Sequence, residues 1–142
     1  LARAYPKCQF VLGHCGKCFI APDMEEALDK LPELENLWID TSSVCDTGVF
    51  VALLRGFNRE RIVYGSDLAT PSGFRGTYVA LGLGWHVCTE EMVWGGARRA
   101  TFAAYENIRA LIRAGRFVKI KARDYERLFC DNGMQLLECG KQ

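Results

Sequence analysis

The sequence predicts an α/β fold built on parallel strands, and three observations carry that reading. Short apolar runs at residues 9–13, 37–39 and 61–64 read as buried strands. The stretches joining them carry helical patterns and are too long for hairpins, as parallel crossovers require. Each run is continuously apolar, as when helices cover both faces of a sheet or the strands line a closed barrel.

The elements follow in order. The first run comes after a turn-like Tyr5-Pro6-Lys7. Pro22-Asp23 opens a helix with apolar positions Met24, Ala27, Leu28 and Leu31, Asp23 being its N-cap and Glu25 and Glu26 suiting its positive end. Pro32 ends it. The second run closes on Asp40-Thr41-Ser42-Ser43, and Asp46 or Thr47 caps a helix carrying Val49, Phe50, Ala52, Leu53 and Leu54. Gly56 and Asn58 stop that helix, and the third run ends at Gly65-Ser66-Asp67.

Residues 1–67 thus read βαβαβ. Residues 68–99, rich in glycine and aromatics without a clean period, read as a long loop or insert. A helix then starts with Thr101 as its cap, places Phe102, Tyr105, Ile108, Leu111 and Ile112 on one face, and has Gly115 near its end. In this reading Tyr105 is core, while Glu106 and Asn107 face solvent. Asp124 opens a last helical stretch, which Asn132-Gly133 interrupts. One domain over residues 1–142, with residues 100–142 as C-terminal helices, accounts for the chain.

Composition narrows the function. The 142 residues carry a net charge of +1 with lysines and arginines scattered, which points to neither nucleic acid nor an anionic membrane as partner. No apolar run approaches the roughly 20 residues of a membrane span, and the start shows no signal-peptide pattern. Seven dispersed cysteines form no regular framework, so reduced, mostly buried thiols in a cytoplasmic protein are expected. A start at Leu1, in what reads as the tail of a helix, suggests a piece of a longer protein.

Polar clusters follow all three strands: His14, Asp40-Thr41-Ser42 and Ser66-Asp67. In parallel α/β folds the C-terminal strand ends share one rim, where ligands bind and catalysis occurs. An imidazole and a carboxylate facing one cavity can bind a divalent metal or transfer protons. Asp40, Ser42 and Ser43 also suit an ordinary cap or turn. His86, between Trp85 and Val87, reads as a structural residue in apolar surroundings.

The ordered set Tyr5-Pro6, Phe10-Val11-Leu12-Gly13-His14-Cys15-Gly16, Glu35-Asn36-Leu37-Trp38-Ile39-Asp40-Thr41-Ser42 and Glu60-Arg61-Ile62-Val63-Tyr64-Gly65-Ser66-Asp67 resembles the amidohydrolase-2 family of metal-dependent hydrolases and decarboxylases. Phe129-Cys130-Asp131-Asn132 with Leu136-Leu137 is similar to that family's C-terminal helix. The resemblance implies a (β/α)8 TIM barrel, of which this chain would be the C-terminal part: about three βα units plus C-terminal helices. It also implies a divalent metal, usually zinc. His14 would end the sixth strand, and Asp67 the eighth. In the family that Asp is a metal ligand able to accept a proton. The sixth-strand His lies beside the metal, and in some relatives binds it. The family's first-strand His-x-His pair and fifth-strand His have no counterpart here, and a whole barrel takes about 250 residues.

The implied activity is metal-dependent hydrolysis of a C–N or C–O bond in a small-molecule substrate, with non-oxidative decarboxylation as the alternative on the same scaffold. The metal lowers the pKa of its water to roughly 7. Arg75 and Trp85, in the insert, could line the substrate mouth, Arg75 as a substrate-binding group. Self-association into a homo-oligomer stays open. A competing signal is Cys15-Gly16-Lys17-Cys18, a C-x-x-C after a strand, which suits a thioredoxin-like thiol–disulfide oxidoreductase. The third strand lacks the proline which that family needs beside its thiols.

Overall fold

Three of the expected elements are parallel strands of one sheet. The computed structural model describes residues 1–67, 74–81, 84–92 and 101–139. β1 (Phe10–Leu12), β2 (Leu37–Asp40) and β3 (Ile62–Val63) lie in the order β1-β2-β3, with Leu12 opposite Ile39 and Asp40 opposite Val63. β2 buries Leu37, Trp38 and Ile39 and β3 both of its residues, as continuously apolar runs require, whereas Val11 of β1 is 43% exposed. Among the described residues the sheet is open and no barrel closes.

Each crossover is helical. α2 (Ala21–Lys30) begins with Pro22 in its first turn, where the missing N–H costs nothing. Asp23 is not its cap: Ile20 holds that position and makes no side-chain bond, while Asp23 sits inside the first turn near the positive end of the helix. α3 (Thr47–Gly56) is capped by Asp46, whose Oδ1 accepts from the backbone N–H of Gly48 and Val49. α2 and α3 pack together. Met24, Val49, Phe50, Leu53 and Leu54 join Ile39 and Ile62 in the core.

The insert, expected to be a loop, contains an antiparallel strand pair. β4 (Gly76–Leu81) and β5 (Gly84–Thr89) pair antiparallel, with Tyr78 opposite Val87 and Ala80 opposite Trp85. Their side chains are β-branched or aromatic at many positions and neither strand alternates cleanly, because the pair is covered only in part. The root of the hairpin is stapled to the next helix: Gly76 N donates to Thr101 O and Ala103 N to Phe74 O. Gly76 has φ +146°, and a Cβ there would lie 2.2 Å from Cys88 O, so the residue must be glycine. His86 is exposed on β5, not enclosed in apolar surroundings.

α4 (Ala103–Phe117) turns a different face inward from the one its large side chains suggest. Tyr105 is 59% exposed, whereas Asn107 is fully buried together with Ala103, Ala110, Leu111 and Ala114. The small side chains let α4 approach α3 closely, which the bulky ones would prevent. Its cap is Phe102; Thr101 instead donates its hydroxyl to Glu106.

α5 (Ala122–Glu126) has Asp124 in its first turn, accepting from Lys121 N. The chain then continues without interruption at Asn132-Gly133, through a π-helical turn (Arg127–Asp131) into α6 (Asn132–Cys139). The Leu128 carbonyl in that turn accepts from Tyr64 N. The side chain of Asn132 donates to the carbonyls of Arg59 and Ile62, fixing the entry to β3. Those two bonds hold the residue in a buried place that its turn-forming tendency does not foretell.

Candidate active site

The backbone leaves the sheet under strain at the ends of β1, β2 and β3. Directly after β1, α1 (His14–Lys17) is a single left-handed turn: φ is +55° at His14, +52° at Cys15, +68° at Gly16 and +65° at Lys17. Ser43, beyond β2, has φ +60°, and Asp67, beyond β3, has φ +50°. A non-glycine residue in this region costs about 1 kcal/mol or more, and such strain gathers where side chains are held for a purpose.

What holds these residues is a hydrogen-bond network at the strand ends. Asp40, the last residue of β2, accepts three bonds on Oδ1: from Ser42 N at 2.7 Å, Ser42 Oγ at 2.5 Å and His14 N at 3.1 Å. Ser42 Oγ also lies 2.8 Å from His14 Nδ1. On the other side Ser43 Oγ donates to Asp67 Oδ2 at 2.7 Å. His14 Nδ1 and Asp67 Oδ2 are 3.9 Å apart, with side chains 34% and 25% exposed. Beneath the loop, Asn107 Nδ2 donates to the carbonyls of Thr41 and Val44, 2.6 Å each, bracketing the two serines.

The hairpin supplies the wall. Tyr78 is hydrogen-bonded to Ser43, and burial pushes its phenol above the usual range, with Asp67 and Cys45 nearby adding to the rise and the Ser43 bond opposing it. The hydroxyl therefore stays protonated at neutral pH. Trp85, 46% exposed, packs on Phe19 at 4.4 Å, and Phe19 stacks beside the His14 ring at 6.3 Å. Tyr78 completes the aromatic group at 5.3 Å from Phe19.

The structure thus brings His14 and Asp67 together, joins Asp40 and Ser42 to His14, and sets Trp85 beside them. Arg75 is exposed at the hairpin root, bridged to Phe102 with its guanidinium 5.7 Å from that ring. Ser43, read from sequence as a cap or turn, and Tyr78, inside the apparent loop, are additions. Only the hairpin's tertiary docking places Tyr78 here.

The surroundings of the cysteine pair disfavour a thiolate. Cys15 and Cys18 are buried free thiols. Burial raises both thiols above their usual value, Cys15 well above it, with Asp40 adding to the effect at Cys15 and Asp23 at Cys18. A reactive C-x-x-C thiol needs a lowered pKa, commonly from a helix N-terminus. Here Cys15 lies inside a left-handed turn and not in the first turn of a regular α-helix.

An imidazole and a carboxylate are suitable donors for a divalent ion. Among the described residues, however, no group of three or more His, Cys, Asp or Glu side chains is arranged to hold one. His14 and Asp67 fit as two ligands of a site that takes four or more.

Polar side chains collected at the C-terminal ends of parallel strands lie where α/β proteins bind their ligands. A family model for amidohydrolases matches residues 1–132, and the chain belongs to the amidohydrolase family, as the ordered strand-end residues suggested. Neither the curated proteins nor the solved structures gave a match.

Proposed function

We propose that this chain contributes His14 and Asp67 to the active site of a metal-dependent hydrolase, and that its three-stranded sheet is an arc of a (β/α)8 barrel. The observation that carries the proposal is the 3.9 Å approach of these side chains, at the exits of β1 and β3. Membership in a family of metal-using enzymes supports it.

When bound, a divalent ion such as zinc would polarise a substrate oxygen and make hydroxide available near neutral pH. His14 and Asp67 would be the residues of this chain that hold it, the further ligands lying outside the described residues. Asp67 is exposed enough to accept a proton from a water beside it, while Ser43 keeps one of its oxygens in place. Tyr78, protonated and bonded to Ser43, backs the hydroxyl that holds Asp67. Phe19, Tyr78 and Trp85 form an apolar wall that limits water and fits a small substrate with a flat face. Arg75 would serve an acidic substituent only if that substituent reached the hairpin root.

The test is metal content with turnover. Stoichiometric zinc or manganese that is lost in Asp67→Asn, together with hydrolysis of amide or ester substrates, supports the reading. Carbon dioxide as product would move it to decarboxylation. Full metal retention and turnover in Asp67→Asn would remove that residue from the site.

A further inference from the structure

The hydrogen bonds around His14 determine which of its ring nitrogens carries the proton. Nδ1 faces two oxygens of one residue: Ser42 Oγ at 2.8 Å and the Ser42 carbonyl at 3.3 Å. The carbonyl can only accept. The hydroxyl has one hydrogen, and Asp40 Oδ1 takes it at 2.5 Å. Asp40 Oδ1 is itself an acceptor, because it also receives the backbone N–H groups of His14 and Ser42, and a backbone nitrogen can only donate. Toward His14 the hydroxyl therefore offers a lone pair. A ring turned by half a rotation would set a carbon against both oxygens and leave Ser42 Oγ without a donor.

We infer that Asp40 and Ser42 are positioning residues that lock neutral His14 as the Nδ1–H tautomer and leave an unshared pair on Nε2. This assignment deepens the hydrolase reading, on which its catalytic meaning rests, but its geometry stands without it. With the pair on Nε2, the neutral ring can accept a proton from a substrate hydroxyl or water, or donate the pair to a cation. It cannot donate a hydrogen bond from Nε2. A free imidazole in water prefers the opposite tautomer, so the relay reverses the intrinsic choice at this ring.

The relay also explains a feature of the loop. Asp40 ends β2 and bonds His14, the second residue after β1, so one carboxylate oxygen ties the two strand exits together and sets the donor pattern at the imidazole. A carboxylate that only capped the turn at Ser42 would have no bond to His14 N.

Nitrogen-15 NMR of the histidine-labelled chain tests this, recorded at a pH above which the ring-nitrogen shifts no longer change. His86→Gln removes the other histidine signal and assigns the spectrum. The expected result is a protonated Nδ1 and an unprotonated Nε2 at His14. Ser42→Ala should shift the ring toward the Nε2–H form, and Ser42→Thr, which keeps the hydroxyl, should restore the starting spectrum. An Nε2–H ring in the unmodified chain would overturn the assignment, and this measurement stands even if Ser42→Ala does not fold. A tautomer unchanged by Ser42→Ala in a folded chain would remove the Ser42 hydroxyl and Asp40 from the role and overturn the assignment to them. No metal or substrate enters the measurement, so its outcome is separate from success or failure of the hydrolase assay.

Discussion

Ser43 donates its hydroxyl to Oδ2 of Asp67 over 2.7 Å, joining the loop after β2 to the segment that follows β3. Both residues are in the left-handed region, with φ of +60° and +50°. The bond fixes one oxygen of the carboxylate and leaves the other directed by the strained backbone. Asp67→Asn keeps an acceptor for Ser43 and nearly the same shape, so the fold should persist. Turnover should fall by about 100-fold or more, the scale of a lost proton-transfer group. Circular dichroism beside steady-state rates would check both halves, and near-normal rates would sink the assignment.

Asn107→Ala should destabilise the chain through the loop it holds. The carbonyls of Thr41 and Val44 would lose their 2.6 Å donors in a buried place. Each unsatisfied buried acceptor costs about 1–3 kcal/mol. The Asn107 Oδ1 atom is already buried without a partner, a cost the variant escapes, so the net loss should be at the low end, about 2 kcal/mol. Urea unfolding measures it, and an unchanged midpoint would show the clamp to be energetically idle.

The thiols predict an alkaline weakness. Burial raises Cys18 and Cys45 above the usual 9.0, so the folded state holds these protons more tightly than the unfolded chain. Their contribution is complete below the unfolded value and is lost as pH rises past 9.0 through the folded values. The urea midpoint should fall in that range, and Cys45→Ala should flatten the fall. In alkylation near neutral pH, exposed Cys8 and Cys130 should react long before Cys15. Rapid labelling of Cys15, or a Cys15–Cys18 disulfide under mild oxidation, would revive the redox alternative.

Gly133→Ala should stabilise the protein. The residue lies in α6, has an ordinary helical backbone, and a Cβ built on it meets nothing within 4 Å. Removing glycine's unfolded-state freedom is worth about 0.5–1 kcal/mol in a helix. A melting temperature that did not rise would mean that α6 is frayed at this point. Gly115→Ala should do the reverse, since its Cβ would come 2.3 Å from the Tyr125 hydroxyl.

The legible parts of the sequence were those where a single short-range rule governs. Continuous apolar runs gave the three strands, and their polar exits gave His14 and Asp67, because strand polarity alone puts such residues on one rim. Asp46 as a cap was equally readable. The buried face of α4 was not, since it depends on how closely α3 approaches: Asn107 is buried to serve two carbonyls far away in sequence, and Tyr105 is left outside. Tyr78 became part of the site only through the docking of a hairpin that the sequence presented as loop. The left-handed turn at His14 had one local hint, Gly16, and three neighbours that argue against it.

The position of Asn132 sets a chemical lifetime as well as a shape. Asn-Gly is the dipeptide most prone to deamidation, because the glycine nitrogen can swing round to attack the side-chain amide. In α6 the backbone is coiled and the amide is engaged at 2.7 Å with the carbonyls of Arg59 and Ile62, so the attack geometry is denied. Unfolding lifts that protection. A chain that ages while unfolded would acquire a carboxylate facing two carbonyl oxygens, where only a donor is tolerated, and could not return to the same structure. Storage of the denatured chain should therefore convert reversible into irreversible unfolding at the rate at which mass spectrometry finds deamidation at residue 132, while folded material stays intact.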